Sequence, residues 1–470
     1  MAVRRTRTST LLYMSVMNLE NYIAENEPRI LDELFSLIRI PSISALPEHK
    51  ADMARCAERW RELLLAAGAD RAEVMPSDGN PLVYAEKKVN EKAPTVLVYA
   101  HYDVMPAEPL ELWQSRPFEP EVRDGRIYAR GADDDKGQAM IQVKAFEFLV
   151  RNGLLKHNVK FIFEGEEEIG SPSLAAFLER HRELLRADVI LVSDTSMLGA
   201  DLPSLTTGLR GLAYWEIEVT GPNRDLHSGH FGGAVANPIN VLCEMLAGIT
   251  DGNGRITVPH FYDDVEELSA EERRMLADIP FDEERYKEAI GVAELRGEQG
   301  YSTLERNSCR PSFDICGIWG GYTGEGSKTV LPSKAYAKVS CRLVPHQRHE
   351  RISQLFTEHI RRIAPPCVRV KVTPMHGGEG YVCPITLPAY KAAERGFEKA
   401  FGRRPLAVRR GGSIPIISDF ERVLGTKTVL MGFGLESDAI HSPNENFRLD
   451  IFRKGIEAVV EFHRAFAEQA

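Results

Sequence analysis

An α/β fold is predicted, with a mainly parallel sheet interrupted by an inserted α+β domain, and three observations predict it. Four short apolar runs, at residues 96–100, 159–163, 189–192 and 428–431, are continuous rather than alternating, as strands buried on both faces are. Helical spacing separates the first three, which is the strand–helix order of an α/β domain. From about Gly208 the texture changes to alternating strands, as in an antiparallel sheet with one face in water.

The elements follow in order. Residues 19–40 carry Leu31, Leu34, Phe35, Leu37 and Ile38 at helical spacing and stop at Pro41. A second helix is expected over 51–67, closed by Gly68. After the first buried run, a helix over 137–150 is entered through Asp134, Asp135 and Lys136. Ser171-Pro172-Ser173 begins another, with proline in its first turn. In the middle region, residues 212–219, 335–343 and 368–372 alternate as strands, while 237–249 and 350–363 are helical. The charged stretch 263–298 reads as a helical elaboration. From about Leu387 the strand–helix style returns, so the simplest organisation is a first catalytic segment at 18–208, an insert at 209–381 and a second segment at 382–470. Strands and helices in this order suggest an insert of ferredoxin-like type.

Composition limits the function classes. The 470 residues exceed one ordinary core, and 43% hydrophobic with 27% charged residues describe a folded chain. A formal net charge of -10, with no basic patch or aromatic platform, disfavours nucleic acid and anionic membranes as partners. Seven scattered cysteines without C-x-x-C spacing read as reduced thiols, and with no apolar run of about 18 residues a cytoplasmic location is expected. Arg4, Arg5 and Arg7 before Leu11 and Leu12 mimic a signal peptide but lack its length and cleavage site, so Met17 is an alternative start.

Chemistry gathers at the ends of the apolar runs, where an α/β sheet forms its ligand crevice. The first runs into His101-Tyr102-Asp103, where a histidine can bind metal while a carboxylate orients its ring. The second runs into Glu164 and then Glu166-Glu167-Glu168, where one glutamate can ligate and its neighbour act as general base. The third runs into Asp194, and the fourth leads to His441 in a polar loop. Between them lies Asp133-Asp134-Asp135, three acids that repel one another unless a cation compensates. His101, Asp134, Glu168, Asp194 and His441 are more ligands than one tetrahedral metal needs. They match two metals sharing one carboxylate, each with a histidine and a further acid.

These motifs resemble the M20 family of metallopeptidases, and within it the carnosinase-like dipeptidase branch. The resemblance runs from about Leu19 onward and rests on His101-Tyr102-Asp103-Val104, Asp134-Asp135-Lys136-Gly137, Glu167-Glu168-Ile169-Gly170-Ser171, Asp225-Leu226-His227-Ser228-Gly229, Gly411-Gly412-Ser413-Ile414-Pro415 and His441-Ser442-Pro443-Asn444-Glu445. It implies that Asp134 bridges two metals, with His101 and Asp194 completing one site and Glu168 and His441 the other. Counting back from Lys136-Gly137 selects Asp134 over Asp133 and leaves Asp135 behind it. Glu167 is implied as general acid/base, Asp103 as the group orienting His101, and His227 as the oxyanion donor, often serving the partner subunit's site. Arg342, which interrupts the apolar side of a strand, is expected to bind the substrate carboxylate. Thr329, Gly412, Ser413 and, more weakly, His376 are expected to add contacts.

Hydrolysis of dipeptides or short peptides by a homodimer joined through the insert is the expected function. Zinc is the expected metal, with manganese or cobalt as alternatives. An N-acyl amino acid deacylase on the same scaffold is the alternative, and a catalytically silent binding protein the more distant one.

Overall fold

The computed structural model describes residues 18–412 and 414–469, so the basic N-terminal segment, the Met17 start and Ser413 lie outside the described residues. The first part of the chain forms β1 (Arg71–Met75), β2 (Leu82–Lys87), β3 (Thr95–His101), β4 (Glu121–Arg123), β5 (Arg126–Tyr128), β6 (Asn158–Glu164), β7 (Val189–Val192) and β8 (Ser204–Leu209). The middle forms β9 (Gly211–Thr220), β10 (Leu226–His227), β11 (Ser312–Gly320), β12 (Val330–Leu331), β13 (Lys334–Leu343) and β14 (Arg369–Gly378). The chain closes with β15 (Tyr381–Val382), β16 (Leu406–Arg410), β17 (Thr428–Leu430) and β18 (Asn446–Arg448).

A nine-stranded sheet takes the order β1-β2-β6-β3-β7-β17-β8-β15, with β16 beside β8. The four strands read from continuous apolar runs, β6, β3, β7 and β17, are its parallel centre. Both flanks depart from parallel pairing, with β1–β2 and β2–β6 antiparallel on one side and β8 antiparallel to β17 and β15 on the other. Apolar helices seal the sheet. Lys136–Arg151 is buried over nearly its whole length, and the C-terminal helix Leu449–Gln469 packs on it and on Pro388–Phe401.

β11, β13, β9 and β14 form a separate antiparallel sheet in that order. β9 alternates buried and half-buried residues along its whole length. Helices Pro238–Ala247 and His349–Ile363 pack on this sheet around a core of its own, in which Trp215 stacks on Phe356 at 4.3 Å. Strand, helix, two strands, helix and strand is the ferredoxin-like sequence of elements. The charged stretch contains two short helices, Ala270–Ala277 and Glu283–Ile290, each with a side-chain N-cap.

Local signals mostly mark the helix ends. Gly68 closes Lys50–Ala67 at φ 107°, and Asn237 caps Pro238–Ala247. One expectation is corrected. The helix after Gly170 starts at Leu174, so Pro172 precedes it, because Gly170 and Ser171 take left-handed φ values of 86° and 50° that no helix can include. Pro28 sits inside Leu19–Ile38 without ending it.

Candidate metal centre

β3 ends on His101, which is 1% exposed. Its Nδ1 lies 3.1 Å from the Asp103 carbonyl and 3.4 Å from the Asp103 carboxylate, which leaves Nε2 to face the crevice. That Nε2 is 3.0 Å from Asp134 Oδ1. The other Asp134 oxygen lies 2.9 Å from His441 Nε2, and Glu168 Oε2 approaches the same nitrogen at 3.2 Å. Two groups of potential ligand atoms result, His101 with Asp134 and Asp194, and Asp134 with Glu168 and His441, each within 4.8 Å. Asp134 belongs to both.

The neighbouring aspartates face elsewhere. Asp135 accepts the His101 main-chain N–H at 3.1 Å. Asp133 is wholly buried, with neither carboxylate oxygen partnered, near Asp438 and Glu445. Three acids in sequence thus point in three directions, and only the middle one reaches both histidines.

Burial and crowding dominate the electrostatics. Asp194 and Glu168 are pushed up chiefly by burial, and Glu167 is pushed up to about 7 by burial and the acids around it. Burial also opposes ionisation of Asp134, yet hydrogen bonds from His101 and His441 hold it below the usual carboxylate range. Hydrogen bonds to Asp134 and Glu168 raise His441 to about 10. So dense a set of acids is stable only beside positive charge.

Further side chains fix this geometry. Asp103 accepts the N–H groups of Glu167 and Glu168 at 3.2 and 3.1 Å, so it holds the glutamate turn as well as facing His101. Glu445 is 0% exposed and accepts N–H bonds from Gly131, Asp133 and Asp134 plus a 2.7 Å bond from Arg130. It clamps the aspartate loop from the far side. Glu164 takes bonds from Tyr99 and Ser171 and is raised by burial to about 8. No structural role for Glu445 or Glu164 was derived from the sequence. A buried acid carries no local mark, and the only signal for Glu445 was its place in the motif after His441.

The other expected residues lie outside the two groups. His227 is exposed on the β10–β12 ribbon, where it accepts the Gly229 N–H at 3.0 Å and stacks on His230. Thr329 is beside it, its carbonyl accepting the Ser228 N–H. Arg342 is on β13 opposite Leu212 and Ser312. His376 stacks on Tyr214 at 5.2 Å, and the Gly412 carbonyl accepts the Arg210 N–H at 3.2 Å. A third acid–histidine group, His349, Glu350 and Glu379, lies at a helix start, where Glu379 accepts both the N–H and the ring nitrogen of His349 and so acts as a cap.

Known proteins resemble this chain over most of its length. The chain is 32% identical to the Cys-Gly metallodipeptidase dug1 of Schizosaccharomyces pombe over 94% of its length and 97% of that protein. It is 31% identical to the Beta-Ala-His dipeptidase of Rattus norvegicus over 89% of its length and 84% of that protein. Its fold matches the crystal structure of the M20 family metallo-carboxypeptidase Sso-CP2 from Sulfolobus solfataricus, with a TM-score of 0.84, 32% identity and coverage of 93% and 99% of the two chains. Residues 97–465 match Peptidase family M20/M25/M40, and the chain belongs to that family.

Proposed function

We propose that this chain hydrolyses dipeptides and other short peptides with the help of two divalent metal ions. Asp134 carries the reading, because its two oxygens each face a different histidine with a further acid at hand. The donor set fits two cations: each would be held by one imidazole nitrogen and one carboxylate of its own, with Asp134 within reach of both. His101 and Asp194 would hold one ion, and Glu168 and His441 the other. Mixed nitrogen and oxygen donors suit zinc, and manganese or cobalt accept the same set. Such ions, when bound, acidify water and polarise a carbonyl oxygen.

The chain's own side chains do the rest. Glu167 removes a proton from the attacking water and returns it to the leaving amine. Asp103 keeps Glu167 in place through the main chain and orients His101. His227 donates to the oxyanion. Its exposure on a ribbon with Thr329 supports service to the site of a second copy. Edge strand β11, with Ile315, Ile318 and Trp319 exposed, supplies an apolar surface for that homodimer. In this reading 209–381 is the lid and dimerisation domain between catalytic segments 18–208 and 382–470. Arg342 binds the terminal carboxylate, and Thr329, Gly412 and His376 line the substrate. Seven free cysteines support a cytoplasmic setting.

The test is a metal-supplemented assay of dipeptides, tripeptides and N-acyl amino acids, with and without chelator. Dipeptide hydrolysis abolished by chelator is expected. Dominant cleavage of N-acyl amino acids would move the reading to a deacylase, and stoichiometric metal without turnover would refute catalysis.

A further inference from the structure

β16 ends in two arginines, and the structure gives them different partners. Arg409 pairs with Glu272 of the helical elaboration. Arg410 lies against the two segments that deliver Asp194 and His441. Its Nη2 donates to the carbonyl of Ser196, two residues past Asp194, at 2.7 Å, and the acid whose charge acts on it is Glu436, in the turn before His441. Among the described residues it makes no ion pair, and its Nε is buried without a hydrogen-bond partner. Burial lowers its affinity for its own proton, the reverse of what a paired arginine shows.

A half-buried guanidinium with one nitrogen sealed from water is normally matched by a carboxylate, because desolvation is otherwise uncompensated. The Gly411–Gly412 turn that follows Arg410 is held by a different arginine, Arg210, whose Nε donates to Gly411 and whose N–H donates to Gly412. Arg210 in turn feels the charge of Arg342 on the inserted sheet. Arg342 on the inserted sheet therefore lies within electrostatic reach of the arginine that holds the turn, and Arg410 stands at the start of that turn beside the segment that carries Asp194. A simple dipeptide offers only one carboxylate.

We propose that Arg410 is a specificity-determining residue that binds a second carboxylate of the substrate, carried by the group before the scissile bond. This rests on the peptidase reading above, in which Arg342 takes the terminal carboxylate. The preferred substrates are dianionic. Either an acidic amino-terminal residue or a dicarboxylic acyl group on an amino acid supplies the required chemistry.

The experiment compares kcat/KM for Glu-Ala with Gln-Ala, for N-succinyl-alanine with N-acetyl-alanine, and for Ala-Glu with Ala-Gln. One charge-assisted contact predicts an advantage of about ten- to hundredfold for the acidic member of the first or second pair, the pair identifying the source. Arg410→Gln should collapse that ratio toward one mainly through KM, and Arg410→Lys should restore part of it, with bound metal per subunit measured in each variant. An acid-to-neutral ratio near one in the first two pairs of the wild-type protein overturns the proposal whatever the variants do. So does an advantage confined to Ala-Glu. Absence of chelator-sensitive hydrolysis for every substrate instead overturns the peptidase reading itself.

Discussion

Glu445 is not itself an expected ligand, yet its replacement by glutamine should damage both the fold and the metal centre. One carboxylate oxygen accepts the Gly131, Asp133 and Asp134 N–H groups at 3.1 to 3.2 Å, and the other meets Arg130 Nη1 at 2.7 Å. A glutamine that keeps the first oxygen turns its NH2 toward Arg130, so donor meets donor. In the flipped orientation three main-chain N–H groups face a donor instead. The cheaper choice still strands the charge of Arg130, which is 1% exposed and among the described residues keeps the Pro106 carbonyl at 3.1 Å and the Trp113 ring at 5.6 Å but no acid. Breaking one side of a buried ion pair costs about 3–5 kcal/mol, a large part of the roughly 5–15 kcal/mol that stabilises a domain. The Asp134 N–H is held by the same carboxylate, so metal affinity should fall by about 10- to 100-fold, as for other groups that support ligands. Denaturant unfolding and competition with a chelating indicator measure the two effects. A double replacement, Arg130→Met with Glu445→Gln, should recover part of the stability because the stranded charge is gone. A loss under about 1 kcal/mol with unchanged metal affinity would refute the reasoning.

Three further outcomes are expected. Glu167→Gln should retain its metal while kcat falls by about 10²–10⁴-fold, and a metal-replete variant with unaltered kcat would remove Glu167 as the proton carrier. His227→Ala should lose about 10²-fold in kcat yet regain activity when mixed with Glu167→Gln, since a mixed dimer holds one complete site; exchange of subunits without recovery argues against service across the dimer. His157 and His463, stacked at 5.0 Å with a 2.9 Å bond between their rings, should make the fold acid-sensitive. Burial lowers His157 to about 4 and His463 well below its usual value, so below pH 6.5 the unfolded chain binds protons that the folded one refuses. Stability then falls with decreasing pH by up to about 1.4 kcal/mol per unit for each histidine, and is fully regained above pH 6.5. Replacing both with leucine should flatten this limb in urea titrations between pH 6.5 and 5, and equal slopes in the two proteins would contradict the assignment.

What the sequence made legible was local and periodic. Residues 96–100 and 189–192 announced buried parallel strands because every side chain in them is apolar, and the acids beyond them could then be placed at the rim. Antiparallel pairing of β1 and β2 had no such mark, since the apolar pattern of a strand does not encode the direction of its neighbour. Asp134 was separable from Asp133 only by motif spacing, whereas the fold separates them by where each carboxylate points. Contacts between distant parts of the chain were not legible. Glu445 on Arg130 and His157 on His463 join residues more than three hundred positions apart, and no local pattern encodes a partner at that range. Arg409 and Arg410 are identical as letters, and only the packing of β16 gives one an acid and leaves the other without.

The order of strands in the large sheet also bears on how the protein is made. β17 lies between β7 and β8, although both of those strands leave the ribosome long before it and the whole inserted sheet is synthesised in between. Until residues 428–430 emerge, a nascent chain has a slot in its central sheet and an apolar strand edge open to other chains. The same late segment brings His441 and Glu445, so the acid cluster forms before the residues that clamp and complete it. Synthesis of this enzyme therefore includes an interval in which most of its chain has emerged while its central sheet still lacks a strand.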